Sequence, residues 1–182
     1  MTPIKADDII SFWFREIDRS LWFKKDADFD ALLQERFLSL HHQAALGELY
    51  SWRVTAAGAL AEIIVLDQFS RNLFRDQAQA FACDGMALIL AQEAVRKEQD
   101  QELESDQKAF LYMPYMHSES AAIHNLAVKL FTAAKLENNL KFELKHKEII
   151  DRFGRYPHRN KVLGRESSAA EKEFLTQPGS SF

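Results

Sequence analysis

TAAGALAEIIVLDQFSRNLFR, residues 55–75, holds no Pro, no cluster of turn residues and no run alternating apolar with polar positions. Its apolar residues recur at helical spacing, with Leu60, Ile63 and Ile64 on one face and Leu66, Phe69 and Leu73 on the other. The stretch predicts a helix over 55–74, capped by Thr55 and apolar nearly all round, which makes it a central helix. Its most apolar part, 56–66, is interrupted by Glu62 and falls short of the roughly 20 residues that span a bilayer. At about 100° per residue, Asp67, Arg71 and Arg75 follow one another at i, i+4 and i+8 on the face of Leu60. Asp67 and Arg71 are therefore predicted to be mostly buried and paired, acid before base, the better orientation for such a pair. Desolvation can exceed the attraction between two buried charges, so the pair marks either a fixed docking register or a polar site. Gln68 and Asn72 point elsewhere and read as caps or bridges between helices.

Outward from this helix the pattern repeats. Gly and Pro number only six and four, and helical periodicity predicts further helices at 6–18, 27–48, 84–97, 106–117, 119–136 and 139–153. Asp84 is the expected cap of the fourth, and Ser167 or Ser168 that of a short last helix ending near 175. Pro114 should kink or divide the fifth. The acidic segment 97–106 reads as a solvated connection, and His41, His42 and His146, among polar neighbours, as surface residues. Phe12, Trp13, Phe14, Trp22 and Phe23 read as core, with a stacking platform as the lesser alternative. The fold class is all-α: an antiparallel array or bundle of about seven helices plus a short C-terminal one, in a single domain over residues 1–182.

Composition narrows the function. A net charge of -4 gives nucleic acid no general attraction. Cys83 is the one cysteine, so neither an intramolecular disulfide nor a cysteine-built zinc site can form. The start, MTPIKADDII, lacks the pattern of a signal peptide, and a cytoplasmic location without membrane contact is expected. No sequence signal calls for a cofactor or a metal.

Against that acidic background, residues 151–166 gather Arg152, Arg155, Arg159, Lys161 and Arg165 with only Asp151 and Glu166, on a segment that Gly154 and Pro157 keep from being a regular helix. Such a run usually reads as a solvated basic turn, but Tyr156-Pro157 inside it points to an ordered, packed loop whose positive field takes an anion. It is either internal, from Asp67, Glu119 or the carboxylate of Phe182, or a ligand phosphate or carboxylate, for which Arg supplies a planar fork. The tail 177–182 is expected to fold back rather than hang free. His117 and Glu119, just after Pro114, have the chemistry of a base and an acid; a helix-end histidine bonded to its own backbone is the plainer reading.

FWF at 12–14, WF at 22–23, LDQFSRN at 66–72, QAFACD at 79–84, FLYMPYMHSE at 110–119, RFGRYPHRNKVLGR at 152–165 and the closing PGSSF together give the chain a resemblance to the bacterial family DUF924. Ser70 stands where that family's pattern usually has Pro, and Ser120 where it has Asp. The resemblance implies an α-helical, tetratricopeptide-like fold and transfers no catalytic assignment.

Three functions compete. In the first, the protein binds a small anionic ligand or a peptide carboxylate through Asp67, Arg71, Asn72, Arg155, Arg159, Asn160 and Arg165. In the second, it is an enzyme, hydrolase-type or other, with His117 or His158 as general base, Glu119 or Asp67 orienting it, and Arg71, Arg155 and Arg159 holding substrate charge. In the third, it is a scaffold for protein interaction. Convergence of Asp67, Arg71, His117 and Arg159 would favour either of the first two over the third.

Overall fold

A computed structural model describes residues 3–181, and among these it is helical with no strand. The elements in chain order are α1 (Ala6–Ser11), α2 (Ala27–Ala45), α3 (Ala56–Ile64), α4 (Ser70–Leu73), α5 (Asp84–Arg96), α6 (Ser105–Met116), α7 (Ala121–Ala133), α8 (Glu137–Phe153) and α9 (Ala169–Phe174). A π-helical turn, Val65–Phe69, joins α3 to α4, so residues 56–73 form one continuous helical run. With that run counted once and the short 3-10 and π turns set aside, seven α-helical segments precede the short α9 among the described residues. No described helix is long and apolar enough to cross a membrane.

The run over 56–73 is central because it has almost no polar face to leave outside. Every residue from Ala59 to Ser70 is buried, and α1, α5 and α6 pack against α3 while α2 packs against α4. The Thr55 side chain accepts the Gly58 N–H at 3.0 Å, starting the helix where the sequence predicts. Phe12 and Trp13 close the core from α1's end: Phe12 lies 4.8 Å from the Phe37 ring, and Trp13 lies 5.6 Å from both Phe69 and Phe110. Both are wholly buried, which rules them out as a stacking platform.

Gly58 is where the preceding turn touches this helix. A Cβ built there would sit 1.9 Å from the Trp52 carbonyl oxygen, a backbone atom that cannot swing aside. Gly58→Ala should therefore destabilise the protein by at least the ~1–3 kcal/mol of an overpacked core, read as a lower urea midpoint. A neutral or stabilising result, the usual gain from removing a helical glycine, would show that the 50–54 turn moves freely.

Several local expectations fail on tertiary grounds. Cys83, not Asp84, occupies the N-cap position of α5, and Asp84 is the first helical residue. Pro114 leaves α6 undivided from Ser105 to Met116, surrounded by buried neighbours that hold it. The acidic segment is not wholly solvated: Gln99 and Asp100 are buried, and Asp100 accepts the Tyr112 hydroxyl at 2.5 Å and the Gln101 amide at 2.7 Å. His41 and His146 are buried as well, whereas His42 is exposed as read. Buried polar groups survive where partners wait on another helix, and sequence neighbours carry no record of that.

Candidate functional site

The π turn carries Asp67 into the core, fully buried, and aims it at the C-terminal end of α6. There the His117 Nδ1 lies 2.7 Å from Asp67 Oδ1, while the Gln68 amide donates to Oδ2 at 2.6 Å. Arg71, one turn on, donates from Nη1 to the Asp67 backbone carbonyl at 2.7 Å and sits 3.3 Å from Oδ1. The predicted pair is thus real, and it is one link of a longer chain.

The next link is Asp84, in the first turn of α5. Arg71 grips it with both terminal nitrogens, at 3.0 and 3.2 Å, and Arg159 reaches its Oδ2 from the basic loop at 3.1 Å. Two guanidinium groups therefore share one carboxylate. The Arg159 plate lies between two rings, 4.4 Å from the Phe81 centroid and 4.5 Å from that of Tyr156. Arg71 also lies over Phe81, at 5.7 Å. The side chains of Arg71, Asp84 and His117 are 22%, 18% and 16% exposed and that of Arg159 only 7%, so the cluster is nearly covered yet touches solvent.

The charge states follow from these contacts. Burial opposes ionising Asp67, but Arg71 and His117 together hold its carboxyl well below the usual carboxylate range. Burial, and then the Arg71 charge, push His117 below its ordinary value despite Asp67. A neutral His117 beside an ionised Asp67 carries its proton on Nδ1. Its Nε2 keeps a lone pair and has no partner among the described residues. Burial likewise depresses Arg159.

The remaining candidates serve other bonds. Arg165 forks onto Glu119 at 2.6 and 2.9 Å, and Glu119 also accepts the Tyr156 N–H at 2.7 Å, so it does not orient His117. Arg155 forks onto Glu171 of α9 at 2.6 and 2.9 Å. Asn160 accepts from Arg165 at 2.9 Å and donates to Ser167 at 3.0 Å, bracing the loop. Asn72 donates to Asp30 of α2 at 2.8 Å and acts as the expected bridge; Arg75 forks onto the same carboxylate. Arg75 thus leaves the face of Arg71, because α4 ends at Leu73 and helical projection stops there. His158 is pushed down to about 4 by burial and by Arg159, a poor value for a base near neutrality.

The loop's excess charge is consequently matched mostly from within, by Glu119, Glu171 and Asp84. The Phe182 carboxylate lies outside the described residues. The tail before it does return: Ser180 is buried, and its hydroxyl donates to the Leu175 carbonyl at 3.3 Å. Asp84, read from the sequence only as a helix cap, and Phe81 and Tyr156 are site residues that sequence reasoning did not name as such. The signal available was QAFACD itself, which places an acid three residues after an aromatic one.

Among solved structures, the fold is similar to a protein of unknown function, ATU0120, from Agrobacterium tumefaciens, at 39% identity and a TM-score of 0.89 over 93% of this chain and 96% of that one. No curated protein matches the chain. Residues 9–179, which include the whole cluster from Asp67 to Arg159, match the family described as bacterial protein of unknown function (DUF924), and the chain belongs to that family.

Proposed function

We propose that Arg71 and Arg159, with His117 at their edge, bind a small anion: a phosphate or carboxylate, free or at the end of a peptide. The observation that carries this reading is the state of Arg159. Its side chain is nearly buried, yet Nη1 makes its one hydrogen bond, to Asp84, and Nε is buried with no partner among the described residues. Leaving donors of a buried charged group unpaired costs more than the ~1–3 kcal/mol of a neutral one. A fold that bears this cost, with the guanidinium held against the Phe81 and Tyr156 rings, presents N–H groups ready for an oxyanion. Asp84 already shows the geometry, since it is the carboxylate on which both guanidinium groups converge.

Inorganic phosphate tests the reading by thermal melting. Mass action gives ~2.7 kcal/mol at a hundred times the dissociation constant, roughly 5–10 °C in melting temperature for a chain of this size. Arg159→Met, which keeps the length between the two rings but removes the donors, should abolish the shift. Arg155→Ala, on the Glu171 pair, should leave it. Equal shifts in wild type and Arg159→Met overturn the assignment.

A further inference from the structure

We infer that the anion selected by this site carries a hydrogen-bond donor of its own, as hydrogen phosphate or a 2-hydroxycarboxylate does, and presents it to His117 Nε2. The inference rests on the anion-binding reading and names the ligand's chemical class. Its basis is the direction of the hydrogen bonds around His117. Asp67 Oδ1 accepts from Nδ1 at 2.7 Å and lies 3.3 Å from Arg71 Nη1, so the ring proton is committed to the acid's side. The second oxygen is occupied by Gln68 at 2.6 Å, so Asp67 is held in place and the tautomer with it.

What remains at Nε2 is an acceptor on a ring that shares Asp67 Oδ1 with Arg71, and Arg71 in turn shares Asp84 with Arg159. A fully deprotonated oxyanion on Arg71 or Arg159 satisfies the donors but turns an oxygen lone pair toward the nitrogen lone pair. An oxyanion with an O–H satisfies both. Protonating Nε2 instead would add a third cation next to Arg71, inside a cluster whose two carboxylates already balance Arg71 and Arg159. The site therefore discriminates by a single proton rather than by charge or shape.

Phosphate and sulfate supply the test. In mildly alkaline buffer both are tetrahedral dianions, and only phosphate keeps a proton. Calorimetric titration of the full chain should show phosphate binding about tenfold tighter than sulfate, the worth of one satisfied rather than opposed hydrogen bond. His117→Asn retains a donor toward Asp67 but lacks Nε2, and it should bring the two affinities together. Ring-nitrogen NMR of the wild type gives an independent readout that needs no variant: Nε2 should be unprotonated in the free protein and stay so with phosphate, its resonance shifting as it accepts the bond. Equal affinities in the wild type, or an Nε2 that takes up a proton on binding, overturn the inference while leaving the anion site standing. Absence of binding by either anion removes the anion site itself.

Discussion

Arg71→Ala should cost ~3–5 kcal/mol of folding stability, the toll of leaving one member of a buried pair behind. The loss is large because Arg71 serves two acids at once. Asp67, fully buried, would keep only His117 and Gln68, and Asp84 would lose the two-pronged grip that ties α5 to α4. A urea midpoint moved by less than the equivalent of ~1 kcal/mol, the range of an exposed ion pair, would show that the cluster is not sealed as described. The variant has a second readout. Arg71 is one of the causes that hold His117 down, so its removal should raise the titration midpoint of that histidine.

Acid should destabilise the protein well before its carboxylates titrate. His41 donates from Nε2 to Ser70, whose hydroxyl is itself donated to the Leu66 carbonyl, and its buried Nδ1 has no partner among the described residues. A proton there would be a buried charge with nothing to accept it, and burial pushes His41 down to about 4, with His42 adding to the effect. Burial takes His146 to about 3. Both folded values lie below the ~6.5 of an unfolded histidine, so the unfolded chain takes up protons that the folded one refuses. This contribution to stability is complete above about pH 6.5 and is lost as pH falls toward 4, at ~1.4 kcal/mol per unit for each group. The two together remove about 6–7 kcal/mol between pH 6.5 and 4. Glu143, whose carboxyl burial pushes up, works in the opposite sense, so the cleanest check is a difference. His41→Gln, which keeps a donor for Ser70, should flatten the stability profile over that window; an unchanged profile would place His41 in solvent contact.

Helix positions were legible in the sequence because their signals are local. Thr55 and Ser168 cap where expected, the latter in a reciprocal box with Glu171, and Gly154 ends α8 with a φ of 70°. Asp67 and Arg71 were found because i,i+4 spacing on an apolar stripe is readable within one helix. Legibility stopped wherever a partner came from another segment. Asp84 lies 13 residues from Arg71 and 75 from Arg159, and read alone it is an acid at a helix start. His41 and Asp100 looked solvated because their sequence neighbours are polar, while the groups that cover them sit on α4 and α6. The π turn over 65–69 has no pattern of its own, yet it fixes where Asp67 points. Pairing also divided the basic loop in a way that charge counting cannot: Arg155 and Arg165 are neutralised by forked acids, Arg152 and Lys161 lie exposed, and Arg159 is the buried cation of the loop left with a donor to spare.

The central claim is that an oxyanion seats on Arg159 beside Arg71 and His117, and anomalous diffraction from crystals grown with arsenate tests it most directly. Arsenate keeps the shape and the proton of phosphate and adds a scattering signal that fixes its position. The arrangement of donors predicts a peak within hydrogen-bonding distance of the Arg159 guanidinium, with Arg71 and His117 Nε2 as further contacts. A peak confined to the exposed Arg152 and Lys161, or no peak with the Arg71–Asp84–Arg159 bridge unchanged, would contradict it.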